Sequence, residues 1–261
     1  MEKLKVSDYR KIAKESLRGQ WGINAGFIFL NSLLVMAIGQ VTGVVNNGSV
    51  QSVMSFLIST FVLFAFSYAT YYVGLFVVRG GRADLAQLFV VFQGKYYLPV
   101  LIINVIYLIV QYVLGFVIFI PLILQGGLAF YFSLVIGAGS IDYFSLGQLA
   151  TAGFVLLFLI TLILFLFVTS IVGGLFRFAA YLRFDYPELS AMDCIKKAWD
   201  LIKDRWGQYI LLELSFIGWY ILGTLLFVIP LLWAIAYSNT AIAAFYDQAL
   251  KEKLETEETI V

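Results

Sequence analysis

Residues 19–78 read GQWGINAGFIFLNSLLVMAIGQVTGVVNNGSVQSVMSFLISTFVLFAFSYATYYVGLFVV, and none of them is charged. No soluble surface can be built from such a run. At about 20 residues per crossing of the hydrocarbon core, it holds two membrane spans and a turn. Asn46-Asn47-Gly48-Ser49 marks the turn, between a first span at Gly22–Val45 and a second at Val53–Val78. The first span is too long for the apolar part of a signal peptide, and no clean small-residue cleavage site follows it.

The rest of the chain continues the pattern. A third span begins near Tyr97, and a fourth covers Thr151–Phe178. The fifth and sixth lie between Gly207 and Leu250 and fold back near Gly223–Pro230. As one helix they would run roughly 66 Å, about twice the bilayer core. Of the 261 residues only 13% are charged, about half the share of a soluble domain. The expected fold is an all-α integral membrane protein of six transmembrane helices arranged as three hairpins.

Charge sets the expected orientation. Segments 1–21, 79–96, 177–208 and 248–261 hold six, three, six and two Lys/Arg, which accounts for all 17. The alternate segments hold no basic residue, and their one charge is Asp142. By the positive-inside rule both termini are expected on the cytoplasmic side of the membrane. The uncharged run 96–141 has room for two spans, but a seventh span would move the basic residues of 177–208 outside. Pro121–Ser140 is therefore expected to be re-entrant, interfacial or an overlong helix extension.

Composition restricts chemistry as well. The chain has no His and one Cys. Imidazole bases, Ser-His-Asp triads, disulfides within the chain and Cys- or His-based metal sites are excluded. No cofactor, metal or catalytic residue is expected, so the chain reads as a non-enzyme. Its net charge of +1 gives no reason to expect nucleic acid.

Each hairpin is preceded by a segment with one apolar side, expected to lie at the inner membrane interface. In Ser7–Gln20, Tyr9, Ile12, Ala13 and Leu17 oppose Arg10, Lys11, Lys14 and Arg18. After the cap Asp84 come Leu85, Leu88, Phe89 and Phe92. After Ser190, in a capping-box pattern with Asp193, come Met192, Ile195, Trp199, Ile202 and Trp206. Trp21, Tyr96, Trp199 and Trp206 are the expected interfacial anchors. Cys194 lies off that last stripe, so its thiol is expected to be reachable. The pattern divides one membrane domain, 1–261, into pseudo-repeats 1–78, 79–178 and 179–250, with a charged tail at 251–261.

Phe184-Asp185-Tyr186-Pro187-Glu188-Leu189-Ser190, then Leu214-Ser215-Phe216-Ile217-Gly218-Trp219 and Asn239-Thr240-Ala241, resemble a widespread bacterial membrane family. It is known as domain of unknown function nine hundred and seventy-five and is common in Gram-positive bacteria. Leu17-Arg18-Gly19-Gln20-Trp21-Gly22 is similar to the family's opening. The resemblance marks Asp185, Pro187, Glu188, Ser190, Gly218 and Trp219 as motif residues and supplies no catalytic residue. The sequence departs from the family pattern at Tyr186, Ala198-Trp199 and Asp204. More remotely, the layout is similar to the membrane domain attached to some glycerophosphodiester phosphodiesterases.

Among intramembrane candidates Glu213 is the sharpest, because a carboxylate in a span is costly and needs a partner or a function. Its expected structural partner is Arg177 or another cation near the inner face. Asp247 has an i+4 partner in Lys251. Asn104, Tyr107 and Gln111 share one helix face, as do Asn24 and Asn31, and Asn239 is a further polar candidate. Such faces either bond neighbouring helices or line a polar cavity. Gly22/Gly26 and Gly39/Gly43 have the spacing of close helix packing. The expected function is binding or organising lipid or another amphiphile, with anionic headgroups of the inner leaflet as partners, or supporting a membrane partner. The alternative is a small transporter or channel built around Glu213.

Overall fold

The computed structural model describes residues 4–44, 48–131, 152–226 and 229–259. Within them the chain is helical, in the order α1 (Val6–Ser16), α2 (Trp21–Gln40), α3 (Gly48–Ile58), a π-helical turn (Ser59–Leu63) and α4 (Phe64–Val78). A 3-10 helix (Leu85–Phe92) leads into α5 (Gly94–Tyr131), α6 (Ala152–Asp185), α7 (Ala191–Ile202), α8 (Trp206–Leu225) and α9 (Ile229–Thr259). Six stretches are long and apolar enough to cross a membrane: Trp21–Gln40, Val50–Val78, Gly94–Leu124, Gly153–Asp185, Trp206–Leu225 and Ile229–Glu255. The chain is therefore a multi-pass membrane protein in architecture. Part of the expected Asn46–Ser49 turn, part of the fold-back near Gly223–Pro230, and residues 132–151 lie outside the described residues. Up to Tyr131, the segment beginning at Pro121 continues helix α5.

The central helix is α9. It packs on α8, α4, α1 and α2, and Ala241 to Tyr246 are all buried. Small side chains make this possible, because apolar area alone does not bring helices together in lipid, whereas close backbone approach does. A Cβ added to Gly74 of α4 would lie 3.0 Å from the carbonyl oxygen of Asn239. The Gly22/Gly26 spacing is not used for close packing among the described residues, since nothing there lies within 4 Å of either Cβ position. Large apolar residues such as Met36, Ile163 and Leu225 are exposed on the outside of the bundle.

The short helices show where apolar periodicity misleads. The segment after Asp84 is capped as expected, with the Asp84 carboxylate accepting from the Ala86 N–H at 2.9 Å. It winds as a 3-10 helix, however, whose three residues per turn split the expected stripe. Leu88 and Val91 are buried, whereas Leu85, Phe89 and Phe92 are exposed. In α7 the Ser190 hydroxyl caps by accepting from the Asp193 N–H at 3.2 Å. Its packed face is Ala191, Cys194, Ala198, Leu201 and Ile202, so Met192 and Trp199 are exposed. The physical reason is volume: the small residues let α7 lie close on α6, and the bulky ones are displaced to the flank.

Cys194 is accordingly fully buried, contrary to the expected reachable thiol. Burial pushes the thiol up to about 11. Because the unfolded thiol ionises first as pH rises, this site's contribution to stability is intact below about pH 9 and is lost between about pH 9 and 11. Maleimide at neutral pH is expected to leave folded protein unmodified and to react on unfolding. Rapid labelling of folded protein would show that α7 does not pack as described.

Candidate functional site

Four of the six spanning stretches, Val50–Val78, α5, α6 and α8, line a partly open cavity of about 510 Å³. Arg177 lies eight residues before the end of α6, and Glu213 lies seven past the start of α8. At 1.5 Å per residue both sit roughly 10–12 Å from the helix ends that carry the basic segments. Ionised groups at that depth are expensive and are rarely retained without a role.

Around this pair the walls are phenolic and hydroxylic. Tyr68 and Tyr71 come from α4, Asn104 and Tyr107 from α5, and Tyr209 and Tyr220 from α8. Ser59, Ser67, Thr169 and Ser170 add hydroxyls. Ser59 belongs to the π turn, a helix defect that often marks functional positions. There the Tyr97 hydroxyl donates to the Phe61 carbonyl at 2.8 Å. The extra residue per turn breaks the register of the second span, a feature that apolar periodicity cannot reveal.

The pair itself is loose. Arg177 Nη1 is 3.8 Å from Glu213 Oε1, a separation too long for a hydrogen bond. Arg177 Nη2 donates instead to Asn239 Oδ1, and its guanidinium lies 4.2 Å from the centre of the Tyr71 ring. The Tyr209 hydroxyl donates to Glu213 Oε1 at 2.8 Å. The Tyr209 ring packs where a Cβ on Gly174 would fall, with a carbon 2.5 Å away. Gly174→Ala must therefore push out a buried ring. A loss of about 1–3 kcal/mol in detergent unfolding is expected from such overpacking. Unchanged stability would mean that Tyr209 does not stand over Gly174.

The other candidates separate by position. Asn104 and Tyr107 line the cavity, whereas Gln111, on the same helix, is half-buried and outside that lining. Asn239 is buried and serves the pair from outside the cavity, as acceptor for Arg177. The Asn24 amide donates to the Gln20 carbonyl at 2.9 Å, and Asn31 Oδ1 is buried without a partner among the described residues. Of the anchors, Trp21 packs on Tyr237 at 5.8 Å and Trp199 lies 6.3 Å from Trp206. Tyr96 is 5% exposed, wedged against Phe184 and Tyr72, and so is a packing residue.

Of the motif residues, Asp185 joins a separate charged clamp at the helix ends. Asp185 accepts both terminal nitrogens of Arg79, at 2.5 and 2.9 Å, and the Tyr246 hydroxyl at 2.8 Å. Arg79 Nε also donates to Asp247, 2.9 Å away, and Asp247 pairs with Lys251 at 2.7 Å. The hydrogen bonds to Asp185 lead in holding the Arg79 guanidinium above its ordinary range. Ser190 caps α7, Pro187 and Glu188 form the turn before it, and Trp219 is exposed. Gly218 has open space at its Cβ position. Arg183 donates to the carbonyls of Leu189 and Lys95, each at 2.6 Å, and holds that turn against the start of α5. The sequence singled out neither Arg79 nor Arg183, because their partners are distant in the chain.

A family described as "Protein of unknown function (DUF975)" matches residues 1–253. No curated protein and no solved structure matches the chain.

Proposed function

The chain belongs to the DUF975 family, and from that premise we propose that it is a non-enzymatic binding protein of the bacterial plasma membrane. Its cavity holds a small amphiphile, both termini are cytoplasmic, and the basic faces of α1 and α7 rest on anionic headgroups. The observation that carries this reading is the cavity: about 510 Å³ of polar-walled space among the spanning helices, with one cation and one anion on its walls. That volume falls within the range of small-molecule sites. The orientation is supported by the Lys/Arg outside the spans, all of which fall in the segments read as cytoplasmic.

The test is an inventory of ligands by native mass spectrometry. Wild-type protein is expected to retain an amphiphile that Ser170→Phe, a cavity-filling change, reduces several-fold without lowering Tm. Equal retention by both overturns the reading. For orientation, Lys196→Cys in a Cys194→Ala background is expected to label with an impermeant reagent only after permeabilisation, and Leu226→Cys in intact cells. The opposite pattern would invert the topology.

A second reading, a small transporter, is favoured by the depth of the lining. Its α4-side residues run from Tyr71 back to Ser59, roughly 18 Å along the helix. Flux that Ser170→Phe abolishes would select it over static binding.

A further inference from the structure

We infer that the ligand of this cavity is a small zwitterion, bearing one ammonium and one anionic oxyacid group beside a short apolar portion. This rests on the cavity being a binding site, and it names what the site selects.

The first argument is charge balance. Among the described residues the charged ones on the walls are Arg177 and Glu213, so that lining is formally neutral. Their side chains are 12% and 23% exposed, well removed from bulk water. An anion admitted here meets Glu213 as well as Arg177, and a cation meets Arg177 as well as Glu213. Each lone ion gains one attraction and suffers one repulsion at similar range in a medium that screens weakly. A zwitterion presents each wall charge with its opposite.

The second argument is unused bonding capacity. A guanidinium carries five N–H donors, and among the described residues that of Arg177 makes one hydrogen bond, to Asn239. Both contacts of Glu213 fall on Oε1, leaving Oε2 without a partner among the described residues. Nor, among those residues, do the hydroxyls of Tyr68, Tyr71 and Tyr107 hydrogen-bond to protein, although all three line the cavity. Arg177 Nη1 and the phenol hydroxyls are donors suited to a phosphate or carboxylate. Glu213 Oε2 and the phenol faces suit an ammonium. The 3.8 Å gap shows an ion pair that no hydrogen bond has closed. Leu63, Leu108 and Phe176 supply an apolar wall for the remainder of the ligand.

A phosphatidylethanolamine headgroup and a free amino-acid-like zwitterion share this chemistry. Detergent-solubilised full-length protein would be titrated with dihexanoyl-phosphatidylethanolamine, dihexanoyl-phosphatidylglycerol, hexylamine, O-phosphoethanolamine and leucine. Binding would be followed by native mass spectrometry and thermal shift. The zwitterions are expected to bind at least tenfold more tightly than the singly charged probes. Glu213→Gln is expected to erase the preference over phosphatidylglycerol, and Arg177→Gln the preference over hexylamine. Tighter binding of the lipid than of the free zwitterions assigns the source to the membrane, and the reverse to solution. Equal binding of all probe classes by wild-type protein overturns the zwitterion while leaving the cavity as a site. Binding of none overturns both. The wild-type ranking decides without any variant, so a variant that fails to fold leaves the test intact.

Discussion

Asp185→Ala is expected to destabilise the folded protein by about 3 kcal/mol. Asp185 stands at the end of α6, 11% exposed. It accepts the two terminal nitrogens of Arg79 from the end of α4 and the hydroxyl of Tyr246 from α9. Three parts of the chain that are far apart in sequence meet on one carboxylate. Removing it strands the Tyr246 hydroxyl on a fully buried side chain, a loss of about 1–3 kcal/mol. It also removes a bidentate partner from Arg79. That second loss falls below the roughly 3–5 kcal/mol of a fully buried pair, because Arg79 is 40% exposed and retains Asp247. Asp185→Asn keeps an acceptor for Tyr246 and is expected to lose about half as much. Urea or thermal unfolding in detergent measures both. A loss under about 0.5 kcal/mol for Asp185→Ala, the level of an ordinary surface change, would show that the clamp does not form.

The sequence marked Asp185 only through a resemblance, and the reason is general to this fold. Span existence was legible, because sixty uncharged residues admit no other reading and each later span repeats the signal. Which face of a span packs was not legible, since lipid and protein neighbours both accept apolar side chains. Volume makes that choice: Ala241, Ala243 and Gly74 face inward, and Ile163 and Leu225 face out. For the same reason the stripe read on α7 fell beside its packed face. Glu213 and its partner Arg177 were legible because a charge in a span is rare. The phenols around them were not, because tyrosine is as ordinary at a helix contact as in a cavity wall. Asn104 and Tyr107 were recognisable as a polar face, and only the fold shows that this face lines a cavity. The π turn at Ser59–Leu63 left no trace in composition at all.

Glu213→Ala is expected to be the most damaging change inside the membrane-spanning part, and the ordering of three variants tests why. In Glu213→Ala the Tyr209 hydroxyl, on a side chain 2% exposed, loses its acceptor. The Arg177 guanidinium, 12% exposed, loses its counter-charge and cannot shed its own proton. An uncompensated buried charge costs about 3–5 kcal/mol, and the stranded hydroxyl adds to it non-additively. Glu213→Gln keeps an oxygen for Tyr209 and loses only the charge, so about half of the loss is expected to return. Arg177→Met replaces the cation with an apolar side chain of similar length and leaves the carboxylate hydrogen-bonded to Tyr209. Arg177→Met thus leaves the remaining charge with its hydrogen bond, whereas Glu213→Ala strands the Tyr209 hydroxyl as well as the guanidinium's charge. Arg177→Met is therefore expected to cost less than Glu213→Ala, although both delete one half of the same pair. The measurement is detergent unfolding of the three variants against wild type at neutral pH. Equal losses for Glu213→Ala and Arg177→Met would mean that the pair acts through packing alone. Full stability in Glu213→Ala, together with a lost ligand or flux, would place the carboxylate wholly in function.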